Sequence, residues 1–511
     1  MSNPGPVFGY YKPLRNWLKG FSLLESLNVV KAYAQRSQLN IALPPYVEVP
    51  QEVSKYKSLN ETGIFIWDLE ILAREILINC DSTGDKFLSL WRNFSKTLNL
   101  IKDLDNEITI HYRELHQQNI FVHLNRIAHR QFPWQTTPNL HSMYRYFQIY
   151  NMPDLKEIIH DALGITLNDI YIIGLILTGA YMKDLGFQVD AEVEPLVTRA
   201  AFDKFIENFS VPLEQMRTLL NHAQSYDENY FYSFNPMSQY PLIQMEMQNL
   251  QSLVCPIPTL LFNKITSGLY YLLWPVKNFD QLFGHSFELY TGKVLEACNL
   301  QNNYRIFSEN EYGPEKKKTV DWIIQDSTGT IFLECKTKRM RLDAKVGLTD
   351  TTPLENELKK MGRILFQVYK TLSDALLGNY PEWKPTSDPV FPLVVTLENW
   401  HIFGDVMLEP IDNELRRLLK ENNIDAAILD TSPYSICSIE EWELINQIIA
   451  KVGIKEVMSA KTEAGLSKWH MKGVMLTKFE EHFSSCTRDL FPEVAKQIHP
   501  CLEKHSYGHG F

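Results

Sequence analysis

Between Val320 and Thr337 the chain reads V-D-W-I-I-Q-D-S-T-G-T-I-F-L-E-C-K-T. Thr319 to Gln325 is apolar and β-branched, Asp326-Ser327-Thr328-Gly329 has turn chemistry, and Thr330 to Cys335 is a second apolar run, so the segment predicts two paired strands. Side chains of a strand alternate between faces. Glu334 and Lys336 therefore share one face, while Cys335 points away and leaves its backbone carbonyl near them. Asp321 comes from the neighbouring strand.

Two carboxylates and a lysine gathered this way suit phosphodiester hydrolysis. That reaction uses a hard cation, usually magnesium, held by one or two carboxylates together with the substrate phosphate. A neighbouring lysine orients the attacking water or stabilises charge on the phosphate. Asp321 and Glu334 are the candidate ligands, with the Cys335 carbonyl as a third donor, and Lys336 is the candidate catalytic lysine. The tripeptide Glu/Asp-x-Lys is common in itself. Asp154-Leu-Lys156, Glu315-Lys-Lys317, Asp343-Ala-Lys345 and Glu357-Leu-Lys359 all match it, but they lie in polar or helical surroundings, whereas Glu334 ends an apolar strand that follows a turn and an Asp-bearing strand.

Around this hairpin the chain resembles the PD-(D/E)xK, or restriction-endonuclease-like, nuclease superfamily. The resemblance covers about a third to two-fifths of the chain and implies an α/β core ordered as helix, three-stranded meander, helix, strand. Phe279 to Asn299 has near-helical apolar spacing and would be the first helix; Tyr304 to Ser308 would be the first strand. Family members often carry a Glu on that helix near the metal, which makes Glu288 a further catalytic and metal-ligand candidate. Leu354 to Leu377 would be the second helix, where some members place a site-facing Gln or Lys; Gln367 and Lys370 are the candidates. Leu393 to Leu397 and Ala426 to Leu429 are read as further strands, and Ser438-Ile-Glu-Glu441 as a capping box opening a helix through Ile449. The cofactor implied is Mg2+, with Mn2+ able to substitute.

Charge supports the same location. From Lys316 to Arg341 seven basic residues face three acidic ones, a net of +4, while the whole chain carries −11. Lys316, Lys317, Lys318, Lys338, Arg339 and Arg341 are therefore the candidate phosphate-backbone contacts. DNA is the favoured substrate. An RNA-cleaving effector or toxin and a catalytically inactive nuclease-like scaffold remain the competing readings, and the sequence leaves a homo-oligomer open.

The first half differs. A capping-box pattern at Ser22-Leu-Leu-Glu25 and helical periodicities over Ile64 to Asn79, Lys86 to Lys102, Ile110 to Arg130 and onward to Pro212 to Ala223 predict an all-α domain over residues 1–240. The irregular stretch Tyr226 to Tyr240 reads as the boundary before a nuclease domain over 241–460 and a helical tail over 461–511. The helical half is the expected sensor, selector or partner-binding part. Free-standing proteins of this build often serve restriction or anti-phage defence, an association of fold alone. No nucleotide-binding motif occurs, so control is expected from the helical half or from a protein partner.

Seven cysteines without paired spacing point to a reducing compartment, the cytoplasm by default. The longest apolar run, Ile170 to Met182, is too short to span a bilayer and reads as a buried helix. His482, Cys486, His499, Cys501, His505 and His509 are zinc-capable residue types, but their spacing fits no paired-ligand pattern.

Overall fold

The computed structural model describes residues 5–136, 139–402 and 404–498. They form an α/β protein with a large helical region and fall into two compact units: residues 5–118, 129–279 and 493–498 in one, and 119–128 and 280–492 in the other.

In the first unit, helices Leu23–Leu39, Ile66–Asn79 and Trp91–His111 bury Leu27, Val30, Tyr33, Leu69, Leu72, Phe94 and Leu98 against one another. The rings of Tyr33 and Phe94 stack with centroids 3.8 Å apart. Ser22 does occupy the N-cap position, but its side chain caps nothing. Glu25 turns instead to a distant segment and accepts the backbone N–H groups of Leu88 and Ser89 at 2.7 and 2.8 Å. The expected capping box is thus replaced by a tertiary tie. Leu167–Tyr181 is a core helix, with Ile170, Tyr171, Ile173 and Leu177 buried. Among the described residues no single helix is long and apolar enough to cross a membrane; one pair bent by 67°, Pro153–Leu163 with Leu167–Tyr181, passes that test together by length and composition alone.

The expectation of an all-α first half is corrected by a four-stranded sheet. Strands β1 (Gly186–Gln188), β2 (Ser210–Pro212), β3 (Leu242–Met247) and β4 (Leu250–Val254) lie in the order β1-β4-β3-β2. The β3–β4 hairpin closes through Gln248 and Asn249, both at positive φ (52° and 64°). The expected boundary at Tyr226 to Tyr240 is corrected too. Tyr230, Phe231 and Met237 are core residues, and the buried Arg74 guanidinium donates to the Tyr230 carbonyl at 3.1 Å. The first unit continues through β3 and β4 to Phe279.

The second unit is built on a five-stranded sheet: β5 (Arg305–Ser308), β8 (Trp322–Gln325), β9 (Thr330–Lys336), β10 (Val390–Thr396) and β11 (Ser435–Ser438), in the order β11-β10-β9-β8-β5. A separate small hairpin, β6 (Glu311–Tyr312) and β7 (Lys317–Lys318), lies between β5 and β8 in the chain. Pairing is antiparallel from β5 through β8 to β9 and parallel from β9 through β10 to β11. Asp326 closes the β8–β9 turn by accepting the N–H groups of Thr328 and Gly329 at 2.7 and 2.9 Å. Every residue of β10 is buried, as suits a strand covered on both faces.

Three helices lie against the sheet, α1 (Phe279–Cys298), α2 (Thr352–Leu376) and α4 (Ile439–Val452), and α3 (Asp405–Glu421) packs on α2. The chain therefore runs helix, three-stranded meander, helix, strand. α1 and α4 are tied through Tyr290 to Glu443 at 2.7 Å. α2 packs on β9 and β10, and α3 lies close over Gly362 of α2, where an added Cβ would stand 2.7 Å from the Ile411 carbonyl oxygen. The capping box at Ser438 and Glu441 is fully formed.

Two expectations here are corrected. Ala426 to Leu429 is not a strand: it leads into the helical turn Ile428–Thr431, and the edge strand is Ser435–Ser438. The expected helical tail opens as two short helices, Met471–Lys478 and Glu480–Ser484, broken at Phe479, and residues 461–492 belong to the second unit rather than to a separate tail. His499, Cys501, His505 and His509 lie outside the described residues. The six described cysteines are free thiols.

Candidate active site

Asp321 immediately precedes β8. Continuing the register Trp322↔Leu333 by one residue sets it opposite Glu334, and directly opposed residues of an antiparallel pair share a face. Glu334 and Lys336 lie on that face of β9. Leu397 N–H donates to the Lys336 carbonyl at 3.1 Å, so Lys336 turns its backbone to the β10 side and Cys335 turns its own to the β8 side. There the Cys335 N–H donates to Asp321 Oδ2 at 2.6 Å, replacing a ladder bond. The Cys335 carbonyl leaves the strand on the same side, and its thiol is buried against Thr291 of α1.

Burial and like charge dominate the electrostatics. Asp321 is pushed up to about 8, first by desolvation and then by the negative charge of Glu334; the Cys335 N–H opposes this, and Glu288 adds to it. Lys336 donates to Glu334 Oε1 at 2.5 Å. Burial works against the lysine's charge, but the charge and hydrogen bond of Glu334 outweigh it and hold its pKa above the ordinary value. The result is an acidic, partly buried group of carboxylates with one firmly charged lysine. Among the described residues no three His, Cys, Asp or Glu side chains converge into a ready-formed metal cage. Asp321, Glu334 and the Cys335 carbonyl are the donors on offer.

The other candidates divide. Glu288 acts electrostatically on Asp321, and its backbone carbonyl accepts the Trp322 indole N–H at 3.1 Å; its carboxylate is 37 % exposed and lies 3.4 Å from His285 Nδ1. Gln367 and Lys370 both lie on the exposed side of α2, whose buried side is taken by Leu365, Val368 and Tyr369. Lys318 feels Glu288 and Asp321, although its main partner is Glu309 at 2.7 Å. Lys317 lies 3.6 Å from Asp374 and 3.8 Å from Glu315. Lys316 and Lys338 are exposed, while Arg341 grips Asp343 at 2.6 Å. Arg339 is corrected outright. Its side chain is 5 % exposed and paired with Glu398 at 3.0 Å, so it is not a surface contact for phosphate.

Glu398 went unrecognised in the sequence. It follows β10 and accepts from Lys345 at 3.2 Å as well as from Arg339, and these cations outweigh its burial and hold its carboxyl at about 2. The Trp400 indole donates to the Lys338 carbonyl at 3.2 Å. Together these bonds pin the segment after Lys336 to the segment after β10. The chain matches no protein-family model, no curated protein and no solved structure.

Proposed function

We propose that the chain is a metal-dependent nuclease that hydrolyses phosphodiester bonds, with DNA as its substrate. The observation that carries this reading is the convergence of Asp321, Glu334 and Lys336 on one face of the sheet at the end of β9, with Asp321 held 2.6 Å from the Cys335 N–H. The order of α1, β5, β8, β9, α2 and β10 is also the one the PD-(D/E)xK resemblance implies.

The donor set suits magnesium. Burial, and after it the charge of Glu334, drives Asp321 to about 8 with a single lysine to offset the pair, and an all-oxygen set of two carboxylates and one carbonyl is of the kind this ion takes. Asp321, Glu334 and the Cys335 carbonyl would hold it, where it would supply Lewis acidity at the scissile phosphate. Lys336, charged and hydrogen-bonded to Glu334, is placed to orient a water or to donate to a phosphate oxygen. Trp322 fixes the start of β8 by its bond to the Glu288 carbonyl and so limits the movement of Asp321.

The test is the purified full chain on supercoiled, linear and single-stranded DNA and on RNA, with magnesium, manganese or chelator. Metal-dependent DNA cleavage that disappears in a folded Glu334→Ala protein is the expected result. No cleavage under any of these conditions, or undiminished cleavage by that variant, overturns the reading.

A further inference from the structure

A cavity of about 390 Å³ opens in the second unit where β10 and β11 end. That volume lies within the range of small-molecule sites, roughly 300–1,000 Å³. Its position, in the crevice outside the carboxyl ends of parallel strands, is where open α/β sheets bind their ligands. Thr396 and Ser438 line it, and register places Lys336, Thr396 and Ser438 side by side across β9, β10 and β11 on one face. The cavity is thus the lateral continuation of the candidate active site.

Its lining is aromatic and acidic. Trp400, Tyr434 and Trp469 contribute rings, and Trp469 is half exposed at 48 %. Five carboxylates, from Asp405, Glu409, Asp412, Asp430 and Glu441, face three cations, from Arg416, Lys461 and Lys468, and the imidazole of His470, which lies 3.5 Å from Glu441. Asp405 is paired with Lys468 at 2.6 Å and Asp412 accepts from Tyr434 at 2.7 Å, whereas among the described residues the carboxylates of Glu409 and Asp430 enter no hydrogen bond or ion pair. A net negative cavity repels phosphate and suits a flat, uncharged ring carrying N–H donors. From this the geometry points to a seat for one unpaired nucleobase, drawn from the strand whose backbone lies at Asp321, Glu334 and Lys336. The inference rests on the nuclease reading of that site. The ring stacks on the exposed indole, and the phosphates stay outside beside Lys336 and Lys338. Carboxylates only accept hydrogen bonds, so adenine, cytosine and guanine, which carry exocyclic amines, are preferred over thymine.

The experiment is saturation-transfer NMR on the full chain with guanosine, adenosine, cytidine, thymidine and guanosine 5′-monophosphate. The amine-bearing nucleosides should bind, with thymidine weaker by about tenfold, equivalent to about 1.4 kcal/mol, and with the monophosphate binding as guanosine does because its phosphate stays outside the cavity. Trp469→Ala should weaken guanosine at least tenfold, and Asp430→Asn should narrow the margin over thymidine. Both side chains are exposed, so these variants should fold. Absence of nucleoside binding, equal binding of thymidine, or indifference to Trp469→Ala overturns the inference even if the protein cuts DNA. Binding of this pattern in a protein that cuts nothing supports the cavity assignment and overturns the nuclease reading instead.

Discussion

Asp321 Oδ2 accepts the Cys335 backbone N–H at 2.6 Å, one residue beyond the point where β8 and β9 stop exchanging main-chain bonds. A carboxyl so placed is raised from an ordinary 3.8 to about 8 by burial and by Glu334. The folded protein then holds a proton that the unfolded chain has released, so stability contributed by Asp321 is full below about pH 4 and is lost as pH rises towards 8. Asp321→Asn keeps the accepting oxygen and removes the titration. Metal-free thermal melts should show the variant gaining on the parent protein between pH 5 and 8, with magnesium closing the gap; parallel pH profiles would contradict this.

The carboxylates and the lysine should separate in their effects. Glu334→Ala should weaken magnesium binding, measured by calorimetry. Lys336→Ala should leave a metal-binding protein whose turnover falls by about 10²-fold or more, the scale of positioned acid–base or electrostatic assistance. Because the three residues act as a unit, the triple variant should be scarcely slower than the worst single one.

Gly292 of α1 faces the Trp322 indole so closely that a Cβ would stand 2.4 Å from Cζ2. Gly292→Ala would gain about 1 kcal/mol in helix propensity but lose about 1–3 kcal/mol to overpacking, so net destabilisation is expected. The same change should slow cleavage by displacing Trp322, the neighbour of Asp321. In a Trp322→Phe background the cost of Gly292→Ala should shrink, and a double-mutant cycle on unfolding free energies reads that directly.

Glu398→Gln should destabilise the second unit by about 3 kcal/mol, because Arg339 stays buried after losing its partner. The folded carboxyl titrates near 2, below its ordinary 4.5, so its contribution is present above about pH 4.5 and is lost as pH falls towards 2. Chemical denaturation at pH 7 and pH 3 should therefore show a large difference between parent and variant at the higher pH and a small one at the lower.

What could be read in advance follows from where local chemistry acts alone. The hairpin at Asp326, the helices α1 and α2 and the cap at Ser438 declare themselves through turn residues, spacing or capping pairs. β11 does not: Ser-Ile-Cys-Ser has too little apolar alternation to stand out, and Ala426 to Leu429 drew attention in its place. The β3–β4 hairpin hid for a related reason, since its two-residue turn takes positive φ at Gln248 and Asn249 without the glycine that usually marks such turns. Tyr226 to Tyr240 looked like a linker because its aromatic residues lack periodicity, yet Tyr230 and Met237 are buried. At the site, strand alternation foretold the grouping of Asp321, Glu334 and Lys336. It could not foretell Arg339, whose burial depends on Glu398, nearly sixty residues away.

The interleaving of the two units constrains how the chain can be synthesised and folded. Val494 and Ile498 are buried, and Asn168 donates to the Gln497 carbonyl at 2.9 Å, so the first unit takes core residues from segments more than three hundred positions apart. A ribosome delivers the whole of 280–492 before it delivers Val494. Folding strictly from the N-terminus, with the first unit finished while the second is still being translated, is therefore closed to this protein. The helices Leu140–Tyr150 and Leu167–Tyr181, against which Val494–Ile498 packs, stay incompletely covered until that turn arrives.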